Sequence, residues 1–312
     1  MKLRTLISAS AASIALLAST PALADGHAEQ ATELPSGPEG PALWQVSDED
    51  TTIYLFGTIH AMPADVVWYD AEIDAALQSS DTVVTEIAMD PASQAQGQVL
   101  AQQVGLFTDG TTLRSLLTEE QTAAYEGGFA QLGLPAAAMA QFDMMEPWLV
   151  SLTFSVLPLL QPGYDLEAGV DQVIIGQAGD KQQEALETVE FQLGIFDGLP
   201  QDQQIEFLMA AVEGAGETAE MVDSMVAEWL EGDADGLATI MNEGFEGDDE
   251  AHQALASALL YDRNANWAEW IEERLDSTPG TVFIAVGAGH LAGEQSVQDY
   301  LAERDIETTR VQ

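Results

Sequence analysis

The sequence predicts an α/β fold in which N- and C-terminal strands form a small mixed β-sheet core around a large central helical insertion. Short runs of β-branched and aromatic residues lie near both ends of the chain, at 42–56, 82–84 and 281–286. Residues 91–264 between them are rich in Ala, Gln, Glu, Leu and Met, which favour helices. The order strand, helix, strand over 52–87 is typical of a βαβ unit, so part of the sheet should be parallel.

The first 24 residues predict a secretory signal peptide that is cleaved after Ala24. A positively charged start precedes an apolar run from Leu6 to Leu17, and small residues stand at the expected cleavage site. The alternative is an uncleaved membrane anchor, but the run is shorter than the roughly 20 residues that a membrane-spanning helix needs. We therefore expect a periplasmic protein that begins at Asp25 and has no membrane span in its mature chain.

The predicted elements follow in order from this point. Residues 25–41 are rich in Pro, Gly, Glu and Ala and predict a flexible lead-in, followed by a single domain over 42–312. Strands are expected at Ala42–Val46 and Thr52–Phe56, joined as a hairpin by the acidic turn 47–50.

A helix at Tyr69–Gln78 and a strand at Asp81–Ile87 complete the predicted βαβ unit. Helix-breaking residues divide the insertion, and these are Gly105, Gly133, Pro162 and Gly198. The elements expected after the insertion are a strand at Thr281–Val286, a helix from about Gly293 to Arg304 and a last strand near Ile306–Val311.

The charge balance and the absence of cysteine exclude several classes of function. The chain has 53 Asp and Glu residues against 8 Lys and Arg residues, a net charge of −45. Nucleic acid is excluded as a partner, because its binding relies on Lys and Arg that neutralise phosphates. Without cysteine there are no disulfides, zinc–thiolate sites or thiol nucleophiles. The scattered acids predict a solvated acidic surface, with a surface that concentrates cations as the alternative.

Two predicted strands end in the same motif. Ile53–Phe56 is followed by GTIH, which ends at His60, and Val282–Val286 is followed by GAGH, which ends at His290. A third apolar run ends just before Glu86. In open α/β sheets ligands gather beyond the carboxyl ends of the strands, so we expect these three side chains to converge.

Two imidazoles and one carboxylate are the ligand set of a metal centre with open positions for water. We therefore predict one ion held by His60, His290 and Glu86. The motif glycines, Gly57 and Gly287, allow the backbone to approach a ligand closely. The alternative for each histidine alone is a polar residue at a strand end that is satisfied by its neighbours.

Imidazole ligands favour Mn²⁺, Co²⁺, Zn²⁺ or Fe²⁺ over Mg²⁺ and Ca²⁺. Such an ion would lower the pKa of a bound water, and Glu86 would be either a ligand or the general base. Arg263 is one of few cationic residues and is predicted to pair with Glu86 or to neutralise the tetrahedral intermediate. The alternative for Arg263 is a salt bridge on a helix surface.

Long stretches of the chain resemble a known family, and they are "YLFGTIHAMP", "DTVVTEIAMD", "AGVDQVIIGQAGDKQQEALETVEFQL", "DRNANW" and "VFIAVGAGHLAGEQSVQDYL". The chain resembles the TraB/GumN family over about Trp44 to Val311, and is also similar to the Tiki metalloproteases. The resemblance implies a metal-dependent, peptidase-like hydrolase whose functional residues are His60, His290 and Glu86. It also implies an α/β core related to the erythromycin-esterase and ChaN-like folds.

Further positions match the family and are expected to support the site. Three of them are acidic: Asp171, Glu187 and Glu190. Glu187 and Glu190 are three positions apart and would share one side of a helix. For this acidic pair a structural role is the favoured alternative. Ser296 replaces a glycine of the family pattern and is expected to cap a helix.

Two other functions remain open from the sequence. One is a metal-free, esterase-like hydrolase in which one histidine activates water and Glu86 orients or assists it. The other is a non-catalytic periplasmic protein that binds haem or a metal through His60 or His290. For the hydrolase, the expected partner is a peptide or another hydrolysable substrate.

Overall fold

Six strands form one mixed sheet in the order β4-β3-β5-β2-β1-β6. The strands are β1 (Leu43–Ser47), β2 (Thr51–Thr58), β3 (Thr82–Thr85), β4 (Gln182–Ala185), β5 (Gly280–Gly287) and β6 (Thr309–Arg310). This computed structural model describes residues 34, 40–160, 163–245 and 250–312, without the side chains of 242–245 and 250–252. The predicted signal peptide and most of the predicted lead-in lie outside the described residues.

The strand directions confirm the predicted hairpin and the parallel core. β1 and β2 are antiparallel, and the side chain of Asp48 accepts hydrogen bonds from the backbone N–H groups of Asp50 and Thr51 in the turn. β5 lies between β2 and β3 and is parallel to both. The carboxyl ends of these three strands therefore meet at one edge of the sheet, which we call the carboxyl edge.

Fourteen α-helices lie within the described residues. The first seven are α1 (Ala71–Ser79), α2 (Pro91–Val104), α3 (Leu113–Leu116), α4 (Glu119–Gln131), α5 (Met139–Phe142), α6 (Pro147–Val156) and α7 (Val170–Ala178). The others are α8 (Val189–Asp197), α9 (Gln201–Gly214), α10 (Thr218–Leu230), α11 (Ala234–Phe245), α12 (Glu250–Ala256), α13 (Asp262–Ser277) and α14 (Val297–Ala302). A π-helical turn, Ser257–Tyr261, leads directly into α13.

The central segment is mainly helical, as predicted, but it also contributes a strand. β4 lies inside residues 91–264 and pairs in parallel with β3 at the edge of the sheet. Two of the predicted breaks are helix ends, since Gly105 caps α2 and Gly198 caps α8. The core sheet is thus built from three parts of the chain, not only from its two ends.

The sheet separates two apolar clusters, because successive side chains of a strand point to opposite faces. Ile53, Val282 and Ile284 face a cluster with α13 and α14. Phe56 and Phe283 face a larger cluster built from the other helices.

The most apolar helix, α6, is buried in the larger cluster. In the described ranges no helix is both long enough and apolar enough to cross a membrane.

Candidate active site

The three residues predicted to converge follow the carboxyl edge of the sheet. β2 and β5 are in register through Thr58 and Gly287, which puts His60 and His290 just beyond neighbouring strand ends. Glu86 follows β3, the strand on the other side of β5. All three side chains are buried. The motif spacing therefore predicted the location of these residues correctly.

Arg263 joins two carboxylates at this edge. It comes from the first turn of α13, and its side chain is 3% exposed. Its Nη2 donates to Oε2 of Glu86 at 2.6 Å, and its Nε donates to Oε1 of Glu187 at 2.9 Å. Nη1 donates to the carbonyl oxygen of Leu259, in the π-helical turn, at 2.9 Å. Arg263 pairs with Glu86 as predicted, and the alternative of a helix-surface salt bridge is wrong because the guanidinium is buried.

Two residues that the sequence did not single out complete this network. Gln192 donates its amide N–H groups to Oε2 of Glu86 at 3.1 Å and to Oε2 of Glu187 at 2.9 Å. The indole N–H of Trp267 donates to Oε1 of Glu187 at 2.9 Å. Both residues stand inside stretches that carry the family resemblance, but neither is a residue type that identifies a site by itself.

Glu187 and Glu190, which were expected to share one side of a helix, do not lie as predicted. Glu187 lies before α8, whose N-cap is Thr188, whereas Glu190 lies in the first turn of that helix and is exposed. The two side chains therefore do not share a helical face. Glu187 points inward to Arg263 because the chain turns at the N-cap, and only this member of the pair belongs to the buried network.

The neighbours of His290 determine which of its nitrogens carries the proton. Asn264 donates its amide to the carbonyl of Gln295 at 2.8 Å, which leaves its oxygen 2.6 Å from Nδ1 of His290. Arg263 is always a donor, and its Nη1 lies 3.2 Å from Nε2 of the same ring. His290 therefore carries its proton on Nδ1, and its Nε2 accepts a hydrogen bond from Arg263.

The protonation state of His290 is a testable consequence. Burial, followed by the positive charge of Arg263, lowers the pKa of His290 to about 3. We expect ¹⁵N NMR to show a neutral Nδ1–H imidazole that does not titrate between about pH 5 and 8, where an ordinary histidine does. His60, whose pKa is raised, serves as the internal comparison and should titrate at a higher pH than an ordinary histidine. Protonation of His290 near pH 6.5 would contradict the arrangement of Asn264 and Arg263.

His60 belongs to a second pair at the same edge. Its Nδ1 lies 3.3 Å from Oδ1 of Asp171, and both side chains are about 7% exposed. Burial by itself would lower the pKa of His60, but the negative charge of Asp171, with a smaller contribution from Glu86, outweighs burial and raises it above its ordinary value. Asp171 thus stabilises the protonated form of the imidazole.

A pocket whose empty volume, including the part open to solvent, is about 420 Å³ lies beside this pair. It is lined by the side chains of both partners, His60 and Asp171, and by Glu86. Burial favours the neutral form of Glu86, but Arg263 outweighs burial and holds the pKa of this carboxyl well below its usual range. An imidazole with a carboxylate partner and a second, permanently ionised carboxylate therefore face one space.

Glycines bring the backbone close to these groups. The N–H of Gly287 donates to Oε1 of Glu86 at 2.7 Å, and a Cβ there would lie 3.1 Å from the same oxygen. A Cβ on Gly57 would lie 2.9 Å from Cα of Ala288. Gly169 had no predicted role, although a Cβ there would collide with the carbonyl oxygen of His60. It lets α7 approach close enough to place Asp171 beside the imidazole.

The predicted metal centre does not fit this arrangement of side chains. Nε2 of His290 already accepts a hydrogen bond from Arg263, whose positive charge lies beside Glu86. Across the described part of the chain, no group of three or more His, Cys, Asp or Glu side chains is placed to hold one ion. Binding of Mn²⁺, Co²⁺, Zn²⁺ or Fe²⁺ by His60, His290 and Glu86 stays a prediction, and it requires Arg263 to move away from His290.

Comparison with known proteins identifies the family of the chain. It is similar to the uncharacterized protein YbaP of Escherichia coli (strain K12), with 22% identity over 251 residues that cover 80% of this chain and 87% of the relative. The uncharacterized protein YbaP of Shigella flexneri matches with the same identity and coverage. No solved structure matches the chain significantly. The sequence model of the TraB/PrgY/gumN family matches residues 42–310, and the chain therefore belongs to that family.

Proposed function

We propose that the protein is a hydrolase in which His60 acts as the general base that activates water in the pocket. The observation that carries this proposal is the pairing of His60 with Asp171 at 3.3 Å beside the pocket. A histidine held by a carboxylate and facing a pocket is the usual arrangement of a water-activating base. In this proposal the charge of Asp171 stabilises a proton on Nδ1, and Nε2 is the nitrogen that takes the proton from water.

The second network has a supporting role in this proposal. Glu86 is fixed by Arg263, Gln192 and the N–H of Gly287, so its ionised carboxylate is held rigidly at the edge of the pocket. Its negative charge stabilises the imidazolium that forms when His60 takes up a proton. His290 holds Arg263 in place through its Nε2 and takes no part in proton transfer.

A metal-dependent hydrolase is the second candidate function. The position of His60, Glu86 and His290 at one edge of the sheet favours it. It needs a rearrangement in which Arg263 releases Nε2 of His290, whereas the metal-free reaction uses the side chains as they stand. Haem binding through His290 is disfavoured, because this ring packs against Trp267 with 4.3 Å between ring centroids.

The test is hydrolysis of a mixed library of peptides and esters, with and without a chelator. The protein should be taken from the periplasmic fraction, where we propose that it resides with Asp25 as its first residue. We expect hydrolysis to survive the chelator and to be absent from a His60→Ala sample purified in parallel. If the chelator abolishes hydrolysis and addition of Mn²⁺, Co²⁺, Zn²⁺ or Fe²⁺ restores it, the metal-dependent hydrolase is favoured. Failure to hydrolyse any library member, with a Soret band on haem titration, would replace the hydrolase by a binding protein.

A further inference from the structure

The charges at the pocket limit the kind of substrate that it accepts. Glu86 and Asp171 line the pocket, and Glu187 is joined to Glu86 through Arg263. Among the described residues, Arg263 is the only Lys or Arg side chain in contact with this group, and it is shared between Glu86 and Glu187. The group therefore has three carboxylates against one guanidinium and His60, which leaves an excess of negative charge even when His60 is protonated.

Among the described residues at the pocket, Arg263 already has its own acceptors, and His60, whose protonated form is stabilised by Asp171, is the other group that can carry a positive charge. Each nitrogen of the Arg263 guanidinium already donates to a carboxylate, to His290 or to a backbone carbonyl. Helix N-termini commonly bind anions, but the two helices that begin near the pocket both have an acidic side chain at this end. Asp90 accepts hydrogen bonds from the first N–H groups of α2, and Asp171 lies in the first turn of α7.

Apolar side chains form another part of the pocket wall. Ile87, Met89 and Ala285 lie on this wall, so the pocket combines an apolar surface with excess carboxylate. A phosphate, sulfate or carboxylate in this space would be repelled, whereas an ammonium or guanidinium group would be attracted.

From this balance of charges, and resting on the proposed function, we infer that the hydrolase acts on cationic substrates. The substrate has an ammonium or guanidinium group close to the bond that is cleaved and an apolar group that packs on Ile87 and Met89. Basic peptides and esters of basic amino acids have this chemistry. The net charge of −45 acts in the same direction, because it raises the concentration of cations around the whole protein.

The first experiment compares three substrates with the same backbone whose side chains are cationic, neutral and anionic. One contains a lysine side chain, the second its acetylated form and the third its succinylated form, all with the same bond to be cleaved. We expect kcat/KM to fall by about tenfold or more at each step from cationic to neutral to anionic, and the cationic preference to weaken as salt screens the charges. Equal rates, or a preference for the succinylated substrate, overturn the inference and leave the proposed hydrolase standing. Failure to cleave any of the three by a protein that hydrolyses other library members overturns it equally.

Two variants on one helix test whether the pocket is the part of the protein that selects the charge of the substrate. Gln94 lies in α2 and lines the pocket, whereas Gln103 is exposed nine positions later, on the opposite side of the same helix. Gln94→Lys should reduce or reverse the preference for the cationic substrate, and Gln103→Lys should retain it. If both variants keep the wild-type preference, or both lose it equally, the pocket does not select the charge and the inference fails.

Discussion

Replacing His60 with alanine should lower kcat/KM of the hydrolase by about 10²–10⁴-fold, the usual contribution of a general acid or base. The reason is that His60 lines the pocket and, in the proposed mechanism, takes the proton from water. Asp171→Ala in the His60→Ala background should cost little more, because residues that act as one unit are strongly non-additive. Steady-state kinetics of the two single variants and the double variant measure this coupling.

The pH profile separates a positioning role of Asp171 from a structural one. His60 works as a base in its neutral form, so kcat/KM of the wild type should fall as the pH drops through a pKa above 6.5. Asp171→Asn removes the charge that raises this pKa, and the acidic limb should move to lower pH. Glu190→Gln, a change of an exposed acid, serves as the control and should leave the profile unchanged. An unshifted limb in Asp171→Asn, or simple additivity in the double variant, would remove His60 and Asp171 from the mechanism.

Replacing Arg263 with methionine should lower the free energy of unfolding by about 3–5 kcal/mol, as measured by urea denaturation. The substitution leaves Glu86 and Glu187 buried without the cation that both contact. Desolvation of an uncompensated buried charge is among the largest costs of a single substitution. The stability of this variant should therefore also fall as the pH rises above about 4.3, because the carboxylates ionise freely in the unfolded chain but have lost their cationic partner in the folded one.

Two further variants test whether charge is the cause of this loss. Arg304 pairs with Glu272 at the surface, where both side chains are about one-third exposed, so Arg304→Met should cost at most about 1 kcal/mol. Adding Glu86→Gln and Glu187→Gln to Arg263→Met should recover a large part of the lost stability. Cζ of Arg263 lies 4.8 Å from the ring centroid of Trp267. A triple variant less stable than Arg263→Met alone would indicate that the guanidinium stabilises the fold by packing on this ring and not through its charge.

The strand-end residues were predictable because strand order alone limits where they lie. His60 and His290 directly follow apolar strands, and parallel strands present their carboxyl ends at the same edge. Gln192 was not predictable, since it contacts Glu86 across 106 positions of sequence and depends on how α8 packs. β4 was missed for a different reason. Its sequence, QQEA, lies at a partly exposed sheet edge and lacks the apolar alternation that indicates a strand.

The position of β5 between β2 and β3 has a consequence for how the protein is made. The N–H of Gly287 meets Glu86 across 201 positions of sequence, so this contact closes a very long loop and forms late in folding. A nascent chain contains His60 and Glu86 long before β5, the strand that lies between β2 and β3 and places these two residues at one edge. The candidate site is therefore complete only after the carboxyl-terminal segment has been synthesised and β5 has been inserted into the sheet.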